Sequence, residues 1–173
     1  MLLQILTHTP HWVFGLFVFL VWLGAKQMMA GTVGLGRVTV MPIVMTGLSV
    51  YGVISVFGDS PAALACWAAA AVVVAALVLQ RTLPASTRYD ATTRQFHVAG
   101  SAVPLVLMMG IFFTKYVVGV MLAMHPETRH DATIAAVVPT LYGVFSGVFA
   151  GRAIRLWKLA LRQDRDLSAA RAV

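Results

Sequence analysis

Charged residues are scarce in this sequence. Of its 173 residues, 11% are charged and 60% are hydrophobic, whereas soluble globular domains carry about 25% charged residues. Several apolar runs reach about 18 residues, which is long enough to cross about 30 Å of hydrocarbon as a helix. The composition therefore excludes a soluble globular protein and predicts a single all-α membrane domain over residues 1–173.

Cysteines and intramembrane acids are lacking as well. The single Cys66 excludes an intramolecular disulfide and a thiolate metal cage, and its apolar surroundings predict a small buried hydrophobe. No Asp or Glu lies within an apolar run, so no carboxylate pair is expected there. Four histidines near the ends of the runs lack HExxH spacing: His8, His11, His125 and His130. We therefore predict no catalytic residue, no metal site and no cofactor, and the sequence favours a protein that is not an enzyme.

Acidic residues are too few to balance the basic ones, and the net charge is +7. A nucleic-acid interface needs its basic residues clustered on a soluble surface. Here they lie beside the apolar runs, so the excess charge predicts contact with the lipid bilayer and no nucleic-acid partner.

Five apolar runs predict five transmembrane helices. Thr9 is expected to cap the first helix before Pro10, and Ser60 to cap the third before Pro61. Pro42 is expected in the first turn of the second. The predicted spans are residues 10–25, 39–57, 61–80, 101–124 and 132–151.

Basic residues alternate between the two sides of these spans. Two lie in the loop between spans one and two, three lie between spans three and four, and six lie in the C-terminal tail, eleven in all. The other side has only Arg129. Because basic residues accumulate on the cytoplasmic side, the sequence predicts an external N-terminus and a cytoplasmic C-terminus.

The cytoplasmic loops differ in their predicted structure. The sequence GTVGLG at residues 31–36 fits neither the dinucleotide-binding nor the P-loop spacing, and we interpret it as a tight turn between helices. Between helices three and four, Tyr89, Phe96 and Val98 are β-forming residues around the turn-prone sequence DATTR. These residues predict a small hairpin on the membrane surface, with a plain loop as the alternative.

Beyond the fifth span, residues 152–166 predict an amphipathic basic helix. One arc holds Arg152, Arg155, Lys158 and Arg162, and the opposite arc holds Ile154, Trp157 and Leu161. We interpret the basic arc as facing anionic lipid headgroups, with Trp157 at the membrane interface. A purely topological anchor is the alternative.

Lys115 is the one charged residue inside an apolar run, in the sequence GIFFTKYVVG. An ammonium in hydrocarbon is costly, so we expect it to face protein or water. At a similar depth, spans two and five carry hydroxyls on Ser49, Tyr51, Thr140 and Tyr142. They predict a polar tier in which Lys115 donates to hydroxyls and to carbonyls freed by Pro139. Its role is either structural or that of an anion or proton site.

Gly143, Gly147 and Gly151 recur every four residues in the fifth span. Small residues at this spacing allow two helices to approach closely in lipid. They predict a helix-packing face, and its partner is either another helix of the chain or a second copy in a homodimer.

Two stretches resemble a known family. They are RYDATTRQFHVAGSAVPLVLMMGIFFTKYVVGV and LYGVFSGVFAGRAIRLWK, and the opening MLLQILTHTPHWVFGL is similar to the family's start. The family consists of small, multi-pass, uncharacterised bacterial inner-membrane proteins with a domain of unknown function. A distant similarity to a membrane protein encoded with cytochrome c biogenesis factors accompanies it. The resemblance implies a location in the bacterial inner (cytoplasmic) membrane, and no site residue.

Two functions are consistent with these features. The first is a non-catalytic accessory or assembly protein held by its helices and basic tail. The second is a small transporter or channel that uses Lys115 in the polar tier between helices two, four and five. They differ in whether a continuous polar path exists.

Overall fold

A computed structural model describes residues 11–58, 60–84 and 87–171. Within them it has five α-helices: α1 (His11–Lys26), α2 (Leu35–Phe57), α3 (Pro61–Gln80), α4 (Val103–Met124) and α5 (Ala132–Arg171). Among the described residues, α2 to α5 are long and apolar enough to cross a membrane, and α1 is a shorter apolar helix of 16 residues. These four helices fit a membrane protein. The expected cap at Thr9 and Pro10 lies outside the described residues.

The helix starts follow the sequence signals in part. The hydroxyl of Ser60 accepts a hydrogen bond from the Ala63 amide, and Pro61 is the first residue of α3. Helix α2 begins four residues earlier than predicted, at Leu35. Pro42 therefore lies in its interior and not in its first turn.

Helix α5 is continuous over 40 residues and includes the predicted extension. It packs lengthwise against α3 and also contacts α2, while α1 lies along α4. The rings of Phe17 and Phe112 join α1 to α4, with their centroids 5.4 Å apart. The bundle thus consists of a group of three helices (α2, α3 and α5) and a pair (α1 and α4).

A three-stranded antiparallel sheet caps one end of the bundle. Strands β2 (Arg88–Asp90) and β3 (Gln95–Val98) form the predicted hairpin, and β1 (Gly31–Gly34) pairs with the other edge of β3. The interpretation of GTVGLG as a simple turn is therefore wrong for residues 31–34. The backbone of this loop is extended because the free edge of β3 supplies hydrogen-bonding partners.

The second half of α5 packs on this sheet. Phe96 is fully buried there, together with Tyr89, Val38 of α2 and Ala160 of α5. Trp157 lies beside them, and its indole N–H donates to the Thr39 hydroxyl at 3.1 Å. The sequence did not indicate these contacts of Trp157 with the sheet and with Thr39, and its location at the membrane interface stays a prediction.

Candidate functional site around Lys115

Lys115 lies on α4 beside a core that joins three other helices. Its neighbour one turn further along, Val118, is buried against Val53 of α2, Ala63 of α3 and Tyr142 of α5. The backbones of α2 and α4 themselves barely approach one another. Lys115 therefore lies where α2, α4 and α5 meet through side chains.

The ammonium of Lys115 extends from α4 toward α2 and α5. Its Nζ lies 5.4 Å from the centroid of the Tyr142 ring, a cation–π contact. A Cβ on Gly52 of α2 would lie 3.1 Å from this Nζ, so the missing side chain provides the space that the ammonium occupies. Much of Lys115 remains exposed on the surface of the chain, and it makes no hydrogen bond to another described residue.

A chain of hydrogen bonds lies next to Tyr142, the residue that the ammonium contacts. The indole N–H of Trp67 donates to the Ser49 hydroxyl at 3.0 Å, and Ser49 donates to the Tyr142 carbonyl at 3.1 Å. Ser146, 3% exposed, donates to the same carbonyl at 2.9 Å. These bonds join α2, α3 and α5, and they give each polar group a partner inside the bundle.

The residues predicted from depth separate into two sets. The Tyr142 ring contacts Lys115, and Ser49 donates to the Tyr142 carbonyl. Tyr51 is 69% exposed, and Thr140 is exposed and donates to the Ala136 carbonyl of its own helix. Their role in binding stays a prediction.

Three further residues belong to the same region and were missed in the sequence. Trp67 carries an indole donor on the otherwise apolar helix α3. Gly52 and Ser146 are small residues on the inner faces of α2 and α5. The pattern of small residues in the fifth span could have indicated Ser146, which lies between Gly143 and Gly147.

The three glycines of α5 lie against α3. A Cβ at Gly147 would lie 2.9 Å from the Cβ of Val74, and one at Gly151 would lie 2.8 Å from the Cβ of Val78. Gly143 has the same relationship to Ala70, also at 2.9 Å. Residue numbers increase in the same direction along both helices from one contact to the next, so α3 and α5 are parallel. Their backbones are in close contact.

At the opposite end from the sheet, a short 3-10 turn (Pro126–His130) carries polar groups. The ring of His125 lies 3.0 Å from a carboxylate oxygen of Glu127. Hydrogen bonding to its own backbone amide and to His125 lowers the pKa of Glu127. Among the residues that the structure describes, no three His, Cys, Asp or Glu side chains are grouped so that they could hold a metal ion.

Comparison with known proteins identifies a family without assigning an activity. No curated protein and no solved structure matches the chain. A family model does match residues 1–169, and its description is a family of unknown function, DUF6622. The relation to cytochrome c biogenesis stays a prediction. Because the match covers almost the whole sequence, the chain belongs to the DUF6622 family.

Proposed function

We propose that this protein is a non-catalytic accessory or assembly protein of the bacterial cytoplasmic membrane, and that Lys115 binds a transmembrane helix of its partner. The observation that carries the proposal is an exposed lysine, Lys115, inside an apolar helix. Among the described residues it contacts the Tyr142 ring and no carboxylate. The partner helix would lie against the exposed face of α4 that carries Lys115 and Gly119.

The position of Lys115 makes a protein partner more favourable than lipid. It lies about 18 Å from the start of α4 and about 13 Å from its end, at 1.5 Å per residue. Lysine side chains on a helix lean toward its N-terminus, which here is the farther end. An ammonium near the bilayer centre costs about 2.5 kcal/mol or more, and a cation–π contact offsets about 0.5–2 kcal/mol.

A carboxylate on the partner helix would complete the site. It would neutralise the ammonium and form a charge-assisted hydrogen bond with it. Gly119, one turn from Lys115, has open space where its Cβ would be, so a second helix can approach closely there. The partner we propose is therefore a membrane protein with an acidic residue in a transmembrane helix.

Site-specific photocrosslinking in the native membrane tests this proposal. A photoreactive amino acid at position 119 should crosslink one membrane protein, and Lys115→Met should abolish that product. The same amino acid at Val72, which is 68% exposed on α3, serves as the control position. A product that persists in Lys115→Met, or lipid adducts alone, would contradict the proposal. A product of twice the chain's mass would instead indicate a homodimer.

The proposed topology has five spans with the N-terminus outside. Two features support it beyond the distribution of basic residues. Strand β1 follows α1, and β2 and β3 precede α4, yet all three share one sheet and therefore one side of the membrane. Helices α3 and α5 are parallel, as alternate spans must be. Reporter fusions at both termini test the topology, and an external C-terminus would refute it.

A small transporter or channel is the second candidate. The observation that favours it is the proximity of Lys115 to the polar chain of Ser49, Tyr142 and Ser146. In this alternative, the ammonium binds an anion or exchanges a proton near the middle of the membrane. Proteoliposomes loaded with a pH-sensitive or chloride-sensitive dye distinguish the two functions. Flux that requires Lys115, in the absence of any other protein, would support the transporter.

A further inference from the structure

A second site lies where the end of α3 meets the second half of α5. It is a pocket of about 160 Å³. The described residues that line it are four cations and two leucines: Arg81, Leu83, Arg155, Lys158, Leu159 and Arg162. Three of the cations share one face of α5, and Arg81 is the C-terminal cap of α3. None of these lining residues is acidic, so the pocket concentrates positive charge.

Arg155 is fixed at the wall of this pocket. Its Nη2 donates a hydrogen bond to the Thr82 carbonyl just beyond α3. Its Nε is buried and has no hydrogen-bond partner among the described residues. A buried donor without a partner is unfavourable, and this one belongs to a residue of the pocket wall.

The lengths of α3 and α5 are consistent with a pocket at the level of lipid headgroups. Helix α3 has 20 residues, or about 30 Å, which is the thickness of the hydrocarbon core, and Arg81 follows it directly. Arg155 lies about 35 Å along α5 from its start, just past the same thickness. Ile154, adjacent to Arg155, is 41% exposed and offers an apolar surface to an acyl chain.

We propose that this pocket binds the phosphate of an anionic phospholipid, such as phosphatidylglycerol. Arg81, Lys158 and Arg162 surround the phosphate, Arg155 supplies an anchored guanidinium, and the leucines contact the glycerol and the first methylenes. The site is separate from Lys115 and does not depend on the partner helix proposed there. The sheet covers the apolar face of the second half of α5 and leaves Lys158 and Arg162 exposed.

Lipid binding by the purified full chain tests the inference. The protein in neutral detergent is titrated with phosphatidylglycerol or phosphatidylcholine, and bound lipid is measured by native mass spectrometry. Wild type should bind one phosphatidylglycerol in preference to phosphatidylcholine. Lys158→Gln together with Arg162→Gln should weaken that binding about 25-fold, since each basic residue near the surface contributes about a factor of five.

A matched variant separates this pocket from general charge. Arg37→Gln together with Arg88→Gln removes the same charge from exposed positions outside the pocket, and it should leave binding unchanged. Equal weakening in both double variants would overturn the inference. So would unchanged binding in the pocket variant while circular dichroism shows both to be folded.

Inorganic phosphate distinguishes a lipid from a soluble anion. At millimolar concentration and constant ionic strength it should not displace phosphatidylglycerol, because it lacks the acyl chains that contact Leu83 and Ile154. Complete displacement would show that the pocket is a site for soluble anions and would overturn the assignment to lipid.

Discussion

The indole N–H of Trp157 donates a hydrogen bond to the hydroxyl of Thr39, 3.1 Å away. This bond joins the extension of α5 to the first turns of α2, next to the sheet. Trp157 therefore connects three segments that are distant in sequence: the start of α2, the hairpin and the C-terminal helix.

Replacing Trp157 tests how much this end of the bundle contributes to stability. Trp157→Phe should lower the free energy of unfolding by about 1 kcal/mol, the typical value of one hydrogen bond. Trp157→Ala should lower it by about 3 kcal/mol because packing on the sheet is lost too. Thermal unfolding in detergent measures both. Trp12, 68% exposed, provides the control: if Trp12→Ala costs as much, the cluster has no special role.

The hairpin was predictable from the sequence. The third strand of the sheet, and the packing of α5 on the sheet, were not. Tyr89, Phe96 and Val98 carry the β-forming pattern locally, around a turn in which Asp90 accepts hydrogen bonds from Thr92 and Thr93. The strand at Gly31–Gly34 has no such pattern. It is extended because it pairs with β3, a partner more than 60 residues away in the sequence.

Ser49 connects two helices to α2, and its hydroxyl should be important for stability. Ser49→Ala would leave the Trp67 indole without an acceptor and remove one donor to the Tyr142 carbonyl. We expect a loss of about 1–3 kcal/mol in unfolding free energy, measured in detergent. Ser55→Ala is the matched control, since Ser55 is exposed and donates only to its own helix. An equal effect of the two variants would show that the interhelical bonds contribute little.

The contact between α3 and α5 should not tolerate even one methyl group. A Cβ on Gly147 would lie 2.9 Å from that of Val74 and closer still to the Ala71 carbonyl. Gly147→Ala should therefore destabilise the protein by about 1–3 kcal/mol through overpacking. Gly47→Ala, in open space on α2, should be neutral or stabilising because alanine favours helix. If Gly147→Ala melts at or above the wild-type temperature, the helices are not in backbone contact there.

Asp131 should make stability depend on pH in the acidic range. Its carboxylate accepts hydrogen bonds from the Ile134 and Thr133 amides at the start of α5, and these bonds lower its pKa from the usual 3.8. The folded state then binds a proton less readily than the unfolded state. The stabilisation is present above about pH 4 and is lost as pH falls through the folded pKa. Asp131→Asn, which can still cap the helix, should remove this dependence in acid unfolding curves. An unchanged pH dependence would exclude Asp131 as its source.

The predicted depth of a residue in the membrane identified some neighbours of Lys115 correctly, but it also selected residues that lie elsewhere. Counting along the spans identified Tyr142, whose ring contacts the ammonium, and Ser49, which donates to the Tyr142 carbonyl. Tyr51 and Thr140 lie at similar depths but on other faces of their helices. The rotation of each helix about its axis depends on packing contacts such as those of Val53 and Val138, and these are not encoded in the distance to the membrane surface.

The ammonium of Lys115 should be dispensable for folding and required for binding the partner. It makes no hydrogen bond to a described residue, and Lys115 is exposed on a helix that is long and apolar enough to span a membrane. Lys115→Met keeps the length of the side chain and removes a charge that is costly in hydrocarbon. We therefore expect the unfolding free energy of this variant to be no more than about 0.5 kcal/mol below that of wild type. Tyr142→Ala, at a residue 4% exposed, should instead lose about 3 kcal/mol.

Two measurements on the same variants separate the roles of these neighbours. Thermal unfolding in detergent reports the structural contribution, and crosslinking from position 119 reports the partner. If Lys115→Met unfolds like Tyr142→Ala, the ammonium is a structural group that connects α4 to α5, and the docking proposal fails. If Lys115→Met stays folded and loses the crosslink, the charge contributes mainly to the contact between proteins, because the folded chain alone gives it no carboxylate partner among the described residues.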